Sequence, residues 1–339
     1  MEMVVITGGA LIVEEMHDDN TGFLFPILKM EDIDYKELIG GRGLRYLTGA
    51  TKMALVTTTM AKENAKIEDI ISERCGIVVA TNFSSIATIV DFDKETITEG
   101  PRAVSAMQSP NLVLNATAAK LGMHFDITGF NTTISTGRVS SLDAVDYACN
   151  MIHNEEVDMV IVTGVEEMSA ELRKWLLETS NMSAEELEQV RQLSGTIILE
   201  TISHAEKRGA RIYGQILDSC STINGNYLIN GGKALDDFEE YSYMISQLVD
   251  NPDEIKNICV SDNRLDGKNV YEEEYIKNNF SHAKIISAYD VFGGELIGAT
   301  GVAQIMYSLQ KFGDGKGIVF CNDWTGNFRA LLLQKSEVG

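Results

Sequence analysis

The sequence predicts an α/β fold built from two similar halves. Three observations carry this expectation. Apolar runs too short for helices read as buried strands, among them Cys75-Gly-Ile-Val-Val-Ala80 and Val157-Asp-Met-Val-Ile-Val162. Between such runs lie segments of helical spacing, the clearest being Leu142, Val145, Ala148, Cys149 and Ile152. The alternation of strand and helix then returns in the second part of the chain, which divides it into units 1–217 and 218–339. Element order alone suggests this duplication; residue identities do not repeat visibly.

In order, Met3 to Ile6 reads as a first strand ending at Gly8-Gly9. Glu31 to Gly40 and Leu44 to Met60 read as helical. Cys75–Ala80 runs into a polar loop, Thr81-Asn-Phe-Ser-Ser85, with one aromatic at its centre. Gly100-Pro101 marks a turn, and Leu112 to Leu121 reads as a helix rich in small residues. Ser183 with Glu186 has the spacing of a capping box. Thr196 to Glu200 reads as a strand, and Ile202 to Gly209 as a helix with a basic C-terminus and a glycine cap. Ile212 to Leu217 follows as a strand. The second unit then gives a helix at Tyr241–Leu248, a strand at Ile258–Ser261 and a helix at Val270–Asn279. A short strand at Lys284–Ser287, a helix at Ile297–Phe312 and a hairpin of Gly317–Cys321 with Ala330–Leu333 complete it.

Composition narrows the function classes. Of 339 residues, 44% are hydrophobic and 23% charged, which is the make-up of a globular protein. The formal net charge of −22 argues against nucleic acid, whose phosphates need Lys and Arg. No apolar run reaches the roughly 18 residues that span a bilayer, and the N-terminus has no basic leader, so the cytoplasm is expected. The five cysteines and five histidines are scattered, without C-x-x-C or H-x-x-x-H spacing, so neither a metal site nor a disulfide framework is expected. No cofactor is implied.

One stretch stands apart, Gly129-Phe-Asn-Thr-Thr-Ile-Ser-Thr-Gly-Arg-Val-Ser-Ser-Leu-Asp-Ala144. It reads as a strand over Asn131–Ser135, a tight turn at Thr136-Gly137-Arg138, and a helix. Enzymes place nucleophiles on such strand–turn–helix elbows, where the helix N-terminus stabilises negative charge. Here the residue at the helix start is Arg138, which cannot attack an acyl carbonyl and whose charge opposes the helix dipole.

With these residues, the chain resembles the β-ketoacyl-carrier-protein synthases of the thiolase-like fold. The resemblance rests on Gly100-Pro-Arg-Ala-Val-Ser105 with Pro110 and Leu114-Asn-Ala-Thr-Ala-Ala119, on Gly129–Ser141, on Val157–Glu167, and on Ile198-Leu-Glu with His204–Tyr213. These cover most of residues 75–217; Gly298-Ala-Thr-Gly301 and Asn322–Asn327 match more weakly. The resemblance implies two similar αβ halves in an α-β-α-β-α layering. It also implies a cysteine at the elbow that carries the acyl group and two histidines that stabilise the condensation intermediates. The cysteine falls on Arg138, the first histidine on Asp262 (Ser261 if one residue is shifted), the second on Glu295, and an upstream lysine near Asp290.

On that alignment no catalytic residue remains. Two arrangements are open for Arg138: a buried cluster in which Asp262 and Glu295 converge on it, or a turn that points it into solvent. Ser135, Thr136, Ser140 and Ser141 are expected to bond the turn and cap the helix, and Glu166-Glu167 to be structural. In the family this chain resembles, the loop matching Thr81–Ser85 lies near the dimer interface, so Phe83, with Met107 and Gln108, is a candidate for the wall of a partner's acyl tunnel; the alternative is an ordinary core Phe. A ketosynthase fold without Cys and His resembles the chain-length-factor subunits of type II polyketide or polyene synthases. The resemblance therefore implies a heterodimer with a cysteine-bearing ketosynthase, on which the acidic acyl carrier protein would mainly dock. An acyltransferase with a relocated nucleophile and a homodimeric pseudoenzyme that holds an acyl chain or carrier protein are the other readings.

Overall fold

The computed structural model describes residues 2–17, 22–179, 182–225, 238–264 and 269–336. Its centre is an 11-stranded sheet. From one edge the order is β4 (Asn131–Ile134), β3 (Cys75–Ala80), β5 (Met159–Glu166), β6 (Leu193–Thr201) and β1 (Val4–Val13). It continues through β7 (Gly214–Ile223), β11 (Asn327–Lys335), β10 (Lys316–Asn322), β8 (Ile255–Cys259) and β9 (Lys284–Ile286), with β2 (Ile27–Lys29) beside β1. β1 and β7 meet antiparallel through Val4–Ile6 and Gly214–Ile216. Outward from that contact, both sides read antiparallel, antiparallel, parallel, parallel. The division expected at 217/218 falls inside β7.

Alternation within the strands explains the layering. A strand presents successive side chains to opposite faces, and β1, β3, β5, β6 and nearly all of β10 bury both, hence the apolar runs of β3 and β5. Val78, Val160 and Val162 face a central core with Val319, Cys321, Leu331 and Leu333 of the other half. Two helices fill that core, α5 (Ser140–His153) with Leu142, Val145 and Ala148, and α11 (Thr300–Lys311) with Val302, Ile305 and Met306. The alternate residues Ile77, Val79, Ile161 and Val165 pack outward under α2 (Gly49–Asn64). On the far side Ile318, Phe320, Ala330 and Leu332 pack under α9 (Phe238–Leu248) and α10 (Asn269–Asn279). The result is helix, sheet, helix pair, sheet, helix, which is the thiolase-like layering.

Several boundaries differ from the sequence expectation for local reasons. Asp34 accepts from the amides of Lys36 and Glu37, so the helix expected over 31–40 starts only at α1 (Tyr35–Ile39). Thr48 caps α2 by accepting from Thr51, which splits the run expected from Leu44 to Met60. The small-residue helix is shifted to α4 (Ala116–Phe125) and ends where Asp126 turns left-handed. α3 (Ile86–Glu99), which follows the Thr81–Ser85 loop, has no fully buried residue and gave no sequence signal. The expected capping box is present, Ser183 accepting from Glu186 N at 3.2 Å and Glu186 from Ser183 N at 2.7 Å, at the start of α7 (Ala184–Glu188). Among the described residues, no helix is long and apolar enough to cross a membrane.

Candidate functional site

The expected elbow forms. β4 leads through Thr136 into a single 3-10 turn, Gly137–Val139, and then into α5. Gly137 sits at φ +73, and a Cβ there would lie 2.3 Å from Asp323 Oδ2, so the turn requires glycine. Asn82 grips the turn from the loop after β3: its Oδ1 accepts from Gly137 N at 3.0 Å and its Nδ2 donates to Gly137 O at 3.0 Å. Ser140 donates to Gly137 O at 2.6 Å and accepts from Thr136 N at 2.8 Å. Ser141 donates to Gly298 O, Ser135 to Asn82 Oδ1 and Thr136 to Asp143. Ser140 thus bonds the turn as expected, while Ser135 and Thr136 bond side chains beside it, Ser141 reaches the other half, and none of the four caps α5.

Arg138 points inward and is 1% exposed. Its Nε donates to Glu295 Oε2 at 2.7 Å. One terminal nitrogen donates to Ser261 Oγ at 2.6 Å and Asn322 O at 3.2 Å, the other to Ser261 O at 2.6 Å. Burial alone would lower the pKa of Arg138, but the charge of Glu295 outweighs it and keeps the guanidinium protonated. Glu295 also accepts from Ile297 N at 2.8 Å and Thr300 Oγ1 at 3.2 Å, at the start of α11. The same carboxylate therefore neutralises Arg138 and sits where a helix N-terminus favours negative charge.

Asp262 does not join this pair. Ser261 faces the guanidinium instead, and the chain turns left-handed at Asp262 (φ +46), which swings its side chain away. Arg264 grips it at 2.9 and 2.8 Å, and Ser287 donates to it at 2.5 Å. Burial raises the Asp262 carboxyl, but these bonds outweigh it and hold the group below the usual carboxylate range. Arg264 also reaches Asp290 at 2.8 Å and lies 4.2 Å from the centre of the Tyr289 ring. The residue that meets Arg138 is thus the one-residue alternative, Ser261.

Two buried carboxylates complete the surroundings. Glu166 is fully buried and accepts from Asn82 N at 2.5 Å, Phe83 N at 3.0 Å and Asn82 Nδ2 at 3.1 Å. Glu272, on α10, accepts from Ser261 N at 2.7 Å and Asp262 N at 2.8 Å. Burial pushes each up to about 7, against the pull of the amides. Glu167 has a separate task, accepting from Ala50 N at the start of α2. Glu272 escaped the sequence reading because its helix run Val270–Asn279 looks like an ordinary charged surface helix.

The remaining chemistry is sparse. Cys321 Sγ lies 3.8 Å from the Arg138 guanidinium and donates to Arg138 O at 3.5 Å, buried, with its thiol pushed up to about 12 by desolvation. A thiol so raised is not a nucleophile near neutral pH. The described contacts of His17, His204 and His282 lie elsewhere, with Glu15, Glu200 and the Ile255 carbonyl. No group of metal-ligating residues is found among the described residues. Phe83 is half-buried in a satellite cluster with Met168, Leu172, Leu187, Val190 and Ile297, its ring 6.1 Å from that of Trp175. Met107 lies outside that cluster and is 62% exposed, and Gln108 is half-buried in a segment whose amides bond locally.

The fold and this elbow define a thiolase-like ketosynthase scaffold. Sequence comparison agrees: the family described as "Beta-ketoacyl synthase, N-terminal domain" matches residues 37–194. The 3-oxoacyl-[acyl-carrier-protein] synthase 2 of Coxiella burnetii is 20% identical over 84% of this chain and 74% of its own length. That of Vibrio cholerae is 22% identical over 63% of this chain and 56% of its own length. Among solved structures, the ishigamide ketosynthase/chain length factor superposes with a TM-score of 0.81 at 19% identity, covering 99% of this chain and 100% of the other. A type II PKS acyl-carrier protein in complex with its ketosynthase bound to the hexaketide gives a TM-score of 0.80 at 17% identity, covering 98% and 99%. Residues 37–194 are thus similar to the β-ketoacyl synthase N-terminal domain, and the chain as a whole has the thiolase-like fold of these neighbours.

Proposed function

We propose that this chain is a non-catalytic, chain-length-factor-like subunit of a carrier-protein-dependent condensing enzyme. The observation that carries the reading is Arg138: at the nucleophile position of the elbow stands a cation 1% exposed, bonded to Glu295, Ser261 and Asn322. A guanidinium so engaged can neither take an acyl group nor leave space for one. The positions expected to hold histidine carry Asp262 (or Ser261) and Glu295, none of which supplies an imidazole. Thioester transfer and decarboxylative condensation then belong to a cysteine-bearing partner, and this chain contributes interface and tunnel wall, with Phe83, Met107 and Gln108 as wall candidates. An obligate pairing of this kind buries more than about 2,000 Å². The net charge of −22 fits docking of an acidic carrier protein on the partner.

The test is mass spectrometry after incubation with an acyl donor, with this chain alone and with a cysteine-bearing ketosynthase. The expected adduct is on the ketosynthase only. A stable acyl adduct on this chain alone would overturn the reading and favour a relocated nucleophile. Purification with and without the ketosynthase separates the heterodimer, expected here, from a homodimeric pseudoenzyme.

A further inference from the structure

The two halves hold the Arg138 turn by the same device. β3 and β8 occupy matching places in the strand order, one in from each edge. The second residue after β3 is Asn82, which binds the Gly137 backbone; the second after β8 is Ser261, which binds the Arg138 guanidinium. In each loop two successive amides donate to the two oxygens of one buried carboxylate. Asn82 N and Phe83 N meet Glu166 Oε1 and Oε2, and Ser261 N and Asp262 N meet Glu272 Oε1 and Oε2. Glu166 is 0% and Glu272 2% exposed.

We propose that Glu166 and Glu272 are paired proton-operated clasps on the loops that flank the Arg138 turn. An ionised carboxylate accepts from both amides at once. Adding a proton turns one oxygen into a hydroxyl, which accepts more weakly, so one amide of the loop is loosened. The surroundings set the range in which this happens. Against Glu166 stand uncharged groups: Thr81, Asn82 and Phe83 from its loop, and Gly298 from the turn before α11. Glu272 faces Arg138 from the elbow, which favours its charged form, and Asp262, which opposes it. Arg264, Glu273, Lys277 and Asp290 line, with Glu272, a cleft of about 350 Å³. Among the described residues neither carboxylate is bonded directly to a cation, so desolvation dominates and titration falls near neutrality. The clasps hold above that range and slacken below it.

Hydrogen exchange of the full chain tests this, at about pH 6 and about pH 8, where the protonated population of each clasp differs about tenfold. Rates are corrected for the intrinsic pH dependence of amide exchange. Peptides covering 81–83 and 260–263 are expected to exchange faster at the lower pH, while β6 amides do not change. Glu272→Gln mimics the protonated form, so its 260–263 peptide is expected at the faster rate at both pH values, with the 81–83 response intact. Glu166→Gln is expected to show the reciprocal pattern. Corrected rates that do not differ between the two pH values in the unsubstituted chain would overturn the proposal, as would a Glu272→Gln variant whose 260–263 loop still responds. Should a variant not fold, carbon-13 NMR of glutamate carboxyls in the unsubstituted chain decides: two buried midpoints near neutrality support the clasps, and none above the ordinary glutamate range refutes them.

Discussion

The turns that open α5 and α11 occupy matching places in the two halves, yet they solve opposite electrostatic problems. Before α5, Gly137–Val139 places Arg138 at a helix N-terminus, where a cation is unfavourable. Before α11, Ile297–Ala299 follows Glu295, whose carboxylate accepts from Ile297 N and Thr300 Oγ1, where an anion is favourable. The two turns touch through Ser141 and Gly298, and the 2.7 Å bond between Arg138 and Glu295 joins them. The difference shows how an elbow with arginine at its turn stays folded. The half that carries the misplaced charge borrows its counterion from the half that can hold one.

The largest expected effect breaks that exchange. Glu295→Ala leaves Arg138 buried without its ionic partner and is expected to cost about 3–5 kcal/mol of stability by denaturant unfolding. Arg138→Ala is expected to cost less, toward about 3 kcal/mol, because Glu295 keeps its amide and hydroxyl donors. Replacing both by apolar residues, Arg138→Met with Glu295→Leu, is expected to recover most of the loss. A loss under about 1 kcal/mol for Glu295→Ala would mean that the two halves do not depend on each other here.

Next in size is the pH dependence of stability. The folded pKa values of Glu166 and Glu272, about 7, lie above the unfolded glutamate value of about 4.3. Between these values the folded state binds more protons than the unfolded, so stability falls as pH rises from about 4.3 to about 7 and is level above. The depressed carboxylates Asp158, Glu171, Glu200 and Asp262 act in the other direction, but their contribution is lost only below the unfolded value of about 4; His124, lowered by burial, opposes the slope below about 6.5, and the raised Glu167 reinforces it. Tm is therefore expected to be higher at pH 5.5 than at pH 8. Glu166→Gln and Glu272→Gln should each remove a similar share of that slope; loss of the whole slope in one variant would show that the two clasps are unequal.

How much of this was legible in the chain differs between strand and site. β3 lies where the Cys75–Ala80 run placed it, because a strand buried on both faces must be continuously apolar. Arg138 was legible as an anomaly, since a cation at a helix start contradicts the dipole. Its partners were not. Ser261 and Asp262 are adjacent, and only the left-handed backbone at Asp262 decides which faces inward. Asp262 and Asn263 are both types that tolerate a left-handed backbone, so residue type does not say which of them makes the turn. Glu272 reaches the site from 11 residues beyond Ser261, a separation at which sequence spacing says nothing about contact.

A smaller effect sharpens the correction at Asp262. Its partner Arg264 is 37% exposed, so the pair is screened and its worth is that of a partly solvated ion pair. Asp262→Asn is expected to cost about 1 kcal/mol in unfolding, well below Glu295→Ala. Equal costs would place Asp262 inside the Arg138 cluster after all.

The smallest effect on stability carries the comparison out to the sheet edges. β9 is three residues long and begins with Lys284, the kind of short, charged edge that resists pairing. β4, Asn-Thr-Thr-Ile, has neither charge nor proline, and among the described residues it pairs only with β3. Exposed Val113 (53%) and Met123 (72%), on the segment before α4 and on α4 itself, add apolar surface beside the half that carries β4. An edge so poorly guarded needs a cover, and the proposed ketosynthase partner is the one the reading supplies. Thr132→Lys on β4 is expected to change folding stability by less than about 0.5 kcal/mol yet to reduce co-purification with that partner sharply. Ile285→Lys on β9, at a residue 44% exposed, is expected to leave co-purification unchanged. If the β9 substitution disrupts the complex and the β4 substitution does not, the partner sits on the other half, and the tunnel-wall role of Phe83 falls with the β4 interface.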